Sequence, residues 1–313
     1  MIFNLNKSLN IVALAFLFLF ILQCKKENVA VSVIKPAVEK KHLKVIQNIN
    51  KEDSLAKSQI KYTVFIFPKK NKDSAMAVFK KQYSEDERYT ILALNRLDEK
   101  NSWRADTLII PNKFQEDFLN YSPFPVQITL LKSVKKFVYF SYPIQAFAVY
   151  ENGDLKRWGP TSMGKEAAKT ATGLHFTNWK SKIATSTVDS KWKLPFNVNI
   201  ANSLGIGWHQ FDLPGFPASH SCLRLLMNDA QWMYSFADQW ILSGNGSTIK
   251  AKGIPVLVDG DYNWGGQKPW RKMLKNSMAD YLSESEMTKN IQPFIDEILA
   301  EQKKREEVLV AES

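Results

Sequence analysis

Of the two cysteines in this 313-residue chain, Cys222 sits among residues able to turn a thiol into a nucleophile. The stretch Gly205-Ile206-Gly207-Trp208-His209 comes first, then a loop bearing Pro and Gly, then Ser219-His220-Ser221-Cys222-Leu223-Arg224-Leu225. A free thiol has a pKa of about 8.5, so near neutrality it needs a proton acceptor to become a thiolate. An imidazole can take that proton, and a nearby guanidinium favours the anion. Once the sulfur attacks a carbonyl, the oxyanion needs donors, which main-chain N–H groups around a tight turn supply. Nucleophile, base and cation close together make a workable acyl-transfer site. Two plainer readings compete with it. One is a buried cysteine acting as a small hydrophobe. The other is a zinc site built from His209, His220 and Cys222, which lacks a ligand helix and any metal-site signature, so no metal is expected. The remaining candidates read as structural or solvated: His42 in a polar stretch, His175 on a strand, and Asp212, a surface carboxylate that could instead orient His209.

The first residues say where such chemistry takes place. Lys7 gives a positive start, and an unbroken apolar run extends from Ile11 to Leu22. The run is shorter than the ~20 residues a membrane-spanning helix needs and suits a secretory signal of ~7–15 apolar residues. It ends at Gln23-Cys24, followed by Lys25 and Lys26. A Cys directly after such a run resembles a bacterial lipoprotein signal, residues 1–23, with Cys24 lipidated, although Gln23 stands where a small residue is usual. An ordinary secreted protein and an uncleaved anchor are the other two readings. Export leaves Cys222 the one free thiol in an oxidising compartment, with no disulfide partner. The net charge of +11 suits acidic wall polymers, lipid headgroups or no partner at all. Export, and the lack of a P-loop, a CxxC pair or an RNA-binding sheet signature, argue against nucleic acid.

The elements that must position Cys222 follow from pattern. Residues 24–60 are polar and Lys-rich and read as a tether. Residues 61–112 read as a small α+β module: a strand at Tyr62–Phe67, a helix from Asp73 to Tyr83 with Ala75, Val78 and Phe79 on one face, a second helix over Ser84–Leu97, and a strand at Thr107–Pro111. That order, with Tyr62-Thr63-Val64, Asn95 and Leu108-Ile109-Ile110-Pro111, resembles a degenerate LysM module in which Lys72-Asp73-Ser74 stands for the usual Gly-Asp-Thr. An unrelated α+β unit is the alternative. Residues 112–133 read as a connection. Residues 134–260 are mainly β: Phe137–Phe140 and Ala146–Tyr150 are strands, and Glu151-Asn152-Gly153-Asp154 is a hairpin turn leading into Leu155–Trp158. Further short strands run to Val258, interrupted by one helix at Asp229–Ile241 whose Trp232, Phe236 and Trp240 should face the core. Residues 265–313 read as a helical C-terminal extension, with helices at Trp270–Leu282 and Ile291–Glu307.

With the elements laid out, Ser219-His220-Ser221-Cys222-Leu223-Arg224 resembles the Ser-His-Gly-Cys-Ile/Val-Arg signature of the L,D-transpeptidase (YkuD-type) family. The upstream Gly205–His209 segment is similar to that family's earlier His segment. Thr170-Ala171-Thr172-Gly173-Leu174-His175-Phe176 resembles its Thr-Pro-Thr-Gly-x-Phe strand, and Tyr150-Glu151-Asn152-Gly153 its first hairpin. The resemblance covers residues 136 to 258. It implies a β-sandwich-like catalytic domain with a few helices, Cys222 as nucleophile, His209 as proton acceptor and donor, and His220 as an orienting neighbour. Arg224, Ser221, Ser219 and Gly207 would lie at the substrate or oxyanion region, and no cofactor is required. It also implies action on peptidoglycan stem peptides, and together with the signal ending at Cys24 this gives a lipid-anchored protein of the periplasmic face, expected to be a monomer. A thioester at the position-three diamino acid would release D-Ala and pass to an amine, giving a 3→3 crosslink or attachment to a protein or amino acid. Alternatives are a hydrolase on the same fold, acting as carboxypeptidase or endopeptidase, and a non-catalytic wall-binding lipoprotein. Ser221 replaces a glycine, so a side chain must suit a backbone position that often uses glycine's freedom. The short loop between His209 and Ser219 implies a more open cleft.

Overall fold

A computed structural model describes residues 36–67, 71–104 and 106–312. The signal segment and Cys24 lie outside the described residues. The first element is α1 (Pro36–Ser58), in a stretch read from sequence as tether. Ile46, Asn50 and Lys57 are buried at helical spacing. Asn50 Nδ2 donates to the Gln127 carbonyl at 2.9 Å and to Glu284 at 2.7 Å. Lys57 Nζ donates to the Phe124 carbonyl at 3.1 Å and to Asp53 at 2.6 Å. Those contacts dock the second half of α1 on the body of the protein, which a solvated tether could not do.

Then come β1 (Tyr62–Ile66), α2 (Lys72–Gln82), α3 (Glu85–Leu94) and β2 (Thr107–Pro111), with β1 and β2 antiparallel. Ser84 and Glu87 form a capping box that starts α3, each side chain accepting from the other's N–H. Ala75 and Phe79 face a small core with Phe67, Ile91 and Leu108, whereas Val78 is exposed. Asn95 ties α3 to β2 by donating to the Ile91 and Ile109 carbonyls and accepting from the Ile109 N–H. The element order is all the fold adds to the LysM resemblance.

The region read from sequence as mainly β is built on β3 (Phe137–Ser141), β4 (Ala146–Glu151), β5 (Asp154–Pro160) and β6 (Gly173–Phe176). The turn between β4 and β5 places Asn152 at φ 50° and Gly153 at φ 82°. That geometry, and an Ile128 carbonyl 2.6 Å from where a Cβ of residue 153 would sit, explain the Asn-Gly pair. A second sheet comprises β7 (Lys180–Thr185), β8 (Lys193–Ala201), β9 (Ile206–Gln210) and β10 (Leu223–Leu225), in the order β10-β9-β8-β7. After it come α4 (Met227–Phe236), the short pair β11 (Ile241–Leu242) and β12 (Ile249–Ala251), and β13 (Pro255–Asp259). β13 returns to the first sheet and completes the order β5-β4-β3-β13-β6.

The first sheet is apolar on both faces, so β3 is buried at every residue instead of alternating. One face, with Val138, Phe140, Phe147 and Val149, packs on Val198, Ile206, Trp208, Leu223 and Leu225 of the second sheet. The two sheets form the expected sandwich. The other face, with Tyr139, Ala148, Tyr150 and Trp158, packs on the C-terminal segment through Trp270, Met287, Ile291 and Ile298.

Two sequence expectations are corrected here. The helix expected to reach Ile241 ends at Phe236, because Ile241 and Leu242 pair as β11. Its buried face is Asp229, Ala230 and Met233, while Trp232 and Phe236 are half-buried and stack on each other at 5.0 Å. Trp270–Leu282 is not a helix: only Pro269–Leu274 makes a 3₁₀ turn, and α5 (Glu284–Ile291) begins after a capping box at Ser283. The helical C-terminal extension is present as α5 and α6 (Ile295–Glu312), and Met287, Ile291, Ile295 and Ile298 place it in the core.

Arg96 joins the three parts of the molecule. It is fully buried, and its Nη2 meets Asp280 at 2.6 Å. Its Nε donates to the Ile144 carbonyl at 2.9 Å, and Nη1 to the Ala93 and Leu94 carbonyls at 3.1 Å. The guanidinium also lies against the rings of Trp158 and Trp270. Among the described residues, no helix is long and apolar enough to cross a membrane.

Candidate active site

The site lies on the outer face of the second sheet, and strand alternation puts it there. β9 and β10 are parallel, with Leu223 beside Trp208 and Arg224 beside His209. Trp208, Leu223 and Leu225 point into the core, so His209 and Arg224 point the other way, and Cys222 enters β10 on their side. Cys222, His209, His220 and Arg224 thus line one narrow cleft of about 30 Å³. Its opposite wall comes from the β7–β8 connection, chiefly Val188 and Trp192.

His209 is buried, and its Nδ1 lies 2.9 Å from the carbonyl of Gln210. A carbonyl accepts only, so Nδ1 carries the proton and Nε2 keeps its lone pair. Burial, with help from the Arg224 charge and against the Gln210 contact, pushes the His209 pKa down to about 4. The ring is neutral at physiological pH and able to receive a proton. Burial pushes the Cys222 thiol up, while the Gly207 N–H and the Arg224 charge pull it down. The sulfur also lies 3.9 Å from the Gly205 carbonyl. Gly207 itself has no room for a side chain, because a Cβ would sit 2.4 Å from the Val198 carbonyl oxygen.

The loop carrying Cys222 is held from several sides. Ser219 is buried, and its hydroxyl donates to the Cys222 carbonyl at 2.5 Å, so it braces the turn from within. Ser221 adopts φ 80°, the left-handed conformation a glycine would take without cost, and its hydroxyl donates to the His220 carbonyl. Arg224 exchanges main-chain bonds with Ser162 at 3.1 and 3.2 Å, and its guanidinium lies 4.6 Å from the centre of the Phe211 ring. Asp212 does not orient His209; it pairs with Lys100 at 2.8 Å. The preceding loop is braced by the N-terminal module, since Asp98 N–H donates to the Leu213 carbonyl at 3.0 Å and the Asp98 carboxylate accepts from Leu213 N–H at 2.5 Å. Lys268 donates to the Gly215 carbonyl from the other side.

His175 lies in β6 with Nε2 2.9 Å from the Ala171 carbonyl, away from the cleft residues. Among the described residues, no group of three His, Cys, Asp or Glu is placed to hold a metal ion. Sequence reasoning missed Lys165, Trp192 and the Gln210 carbonyl. Trp192 arrives from a hairpin with no motif, and a main-chain acceptor leaves no signal in residue type. Phe211 could have been found, because it lies two residues beyond His209 and strand period carries it to the same side.

Residues 135–258 match the family model of the L,D-transpeptidase (YkuD) catalytic domain. The matched segment includes all four cleft residues named above. Solved structures similar to the chain include an L,D-transpeptidase from Stackebrandtia nassauensis at 22% identity and a TM-score of 0.35, covering 41% of this chain and 57% of that one. An L,D-transpeptidase in complex with imipenem is similar at 18% identity and a TM-score of 0.32, covering 40% and 59%. The L,D-transpeptidase from Xylanimonas cellulosilytica is similar at 19% identity and a TM-score of 0.38, covering 54% and 78%. The chain spans less than three fifths of the length of the first two. No curated protein matches it.

Proposed function

We propose that this protein is a cysteine L,D-transpeptidase of the cell envelope acting on peptidoglycan stem peptides. The observation that carries the reading is Cys222 sharing a cleft with a buried, neutral His209 whose Nδ1–H is fixed by the Gln210 carbonyl. In the first step His209 Nε2 takes the thiol proton as Cys222 Sγ attacks the carbonyl of the position-three diamino acid. The tetrahedral intermediate collapses to a thioester, and the departing D-Ala amine takes the proton back from Nε2. An amine from a neighbouring stem, a protein or an amino acid then attacks the thioester, losing its proton to the same nitrogen and freeing the thiol. The Gln210 carbonyl favours the imidazolium formed between these transfers, as the carboxylate does in a serine-histidine-aspartate triad. Arg224 adds positive potential beside the sulfur and the developing oxyanion. A lipid anchor at Cys24 would keep the enzyme at the membrane face of the wall.

The test is intact-protein mass after incubation with imipenem, run on the native protein and Cys222→Ala, followed by muropeptide products. A drug-sized adduct on the native protein alone, and 3→3 dimers or amine-exchanged stems among the products, support the proposal. Trimmed stems without exchange would place water as the acceptor and favour the hydrolase. A native protein that gains no adduct and makes no product refutes the catalytic reading and leaves a wall-binding lipoprotein.

A further inference from the structure

Lys165, in the connection between β5 and β6, has played no part so far. Its main chain is pinned to the catalytic loop. The Lys165 N–H donates to the Ser219 carbonyl at 2.9 Å, and Gly164 and Ser219 form a parallel bridge. From there its ammonium reaches His220, with Nζ 2.9 Å from Nε2. An ammonium has three donors and no acceptor. The His220 Nε2 must therefore be the acceptor, which places the ring proton on Nδ1. That Nδ1 is buried and has no partner in the protein, although the His220 ring lines the same cleft as Cys222. The Trp192 ring packs against it at 5.5 Å. Buried N–H groups are satisfied in most folded proteins, so one left open beside a nucleophile points to a ligand.

We infer that Lys165 is a positioning residue that locks His220 as the neutral Nδ1–H tautomer, so that this N–H donates to a carbonyl or carboxylate oxygen of the bound acyl donor. The lysine does to His220 the reverse of what the Gln210 carbonyl does to His209. One ring is left with an open acceptor and the other with an open donor, and the two rings line one cleft. Burial first, then the charges of Lys165 and Arg224, push the His220 pKa down, which keeps the ring neutral. The tautomer stands on geometry alone, whereas its use in turnover rests on the acyl-transfer reading.

The experiment uses protein labelled with ¹⁵N in its imidazoles, with long-range ¹H–¹⁵N spectra near pH 7.5 and the His220 signals assigned by His220→Gln. The native protein and Lys165→Arg should both show Nδ1–H, and Lys165→Met should move His220 toward the Nε2–H form. An Nε2–H native ring, or a Lys165→Met spectrum unchanged from native, overturns the inference. On the same samples the rate of imipenem acylation of Cys222 should fall about tenfold or more in Lys165→Met and recover in part in Lys165→Arg. A Lys165→Met protein with a shifted tautomer but the native acylation rate removes the donor role. If the native protein is not acylated at all, the acyl-transfer reading and the donor role fall together, while the spectra still decide the tautomer.

Discussion

Raising the pH across the Cys222 thiol distinguishes two ways of activating it. In one the resting enzyme already holds a thiolate–imidazolium pair; in the other both groups stay neutral until substrate arrives. An ordinary thiol near ~8.5 and His209 at about 4 differ by some ~4–5 units, so moving the proton costs on the order of 6 kcal/mol. Burial of the thiol adds to that cost. Attraction within the resulting ion pair returns about 4 kcal/mol at ~4 Å and an effective dielectric constant of ~20. The neutral pair wins by about 2 kcal/mol or more, leaving a few per cent of thiolate at most. Iodoacetamide alkylation, followed by mass on the peptide containing Cys222 so that Cys24 does not interfere, should therefore gain most of its rate above pH 8. His209→Gln should leave that profile within about a pH unit of native. Reaching more than half of the maximal rate by pH 6.5 would mean a preformed ion pair, and the argument from His209 burial would fail.

Two further outcomes follow from buried groups. Arg96→Met leaves the buried Asp280 without its cation and three carbonyls unpaired in the core. It should cost about 3–5 kcal/mol and lower Tm by ~10 °C, with Arg96→Met/Asp280→Leu recovering a large part. A loss below ~1 kcal/mol in urea or thermal unfolding contradicts the role given to that pair. His209 gives acid sensitivity: the unfolded chain takes up a proton near ~6.5, the folded one only at about 4. Its contribution is complete above the unfolded value and is lost as pH falls through this window toward 4, up to ~3 kcal/mol in all. Urea midpoints measured from pH 7.5 to 4.5 should fall less steeply in His209→Gln than in the native protein. Parallel curves would show that His209 titrates normally in the fold.

The cleft residues Cys222, His209, His220 and Arg224 were legible because the proposed covalent chemistry needs particular residue types, and those types stand close together in the chain. Strands such as Phe137–Ser141 were legible from β-branched and aromatic runs, and the turn from the Asn152-Gly153 pair, whose residues do take positive φ angles. What escaped depends on contacts distant in sequence. Nothing local in residues 36–58 announces a docked helix, since its anchors Gln127, Phe124 and Glu284 lie far along the chain. The stretch from Trp270 to Leu282 has helical composition, yet its backbone bends to bury Trp270 and to bring Asp280 to Arg96. Asp212 looked able to serve His209 by proximity, and only the fold shows Lys100 holding it instead. The polarity of the two histidines is likewise invisible in sequence, because one partner is a main-chain oxygen and the other an amine from a separate loop.

The bracing of the loop before Cys222 bears on how far this protein can be trimmed. The segment that matches the family ends well short of the parts that hold it together. Asp98 lies upstream of it and Lys268 downstream, and each is bonded to a different carbonyl of the loop between His209 and His220. Cutting the gene at residues 135 and 258 would leave that loop unclamped and strip the first sheet of Trp270, Met287 and Ile291. The smallest stretch that carries the signature is thus smaller than the smallest stretch that can be expected to work. A drug screen or crystallisation effort on this protein should keep everything from α1 to α6.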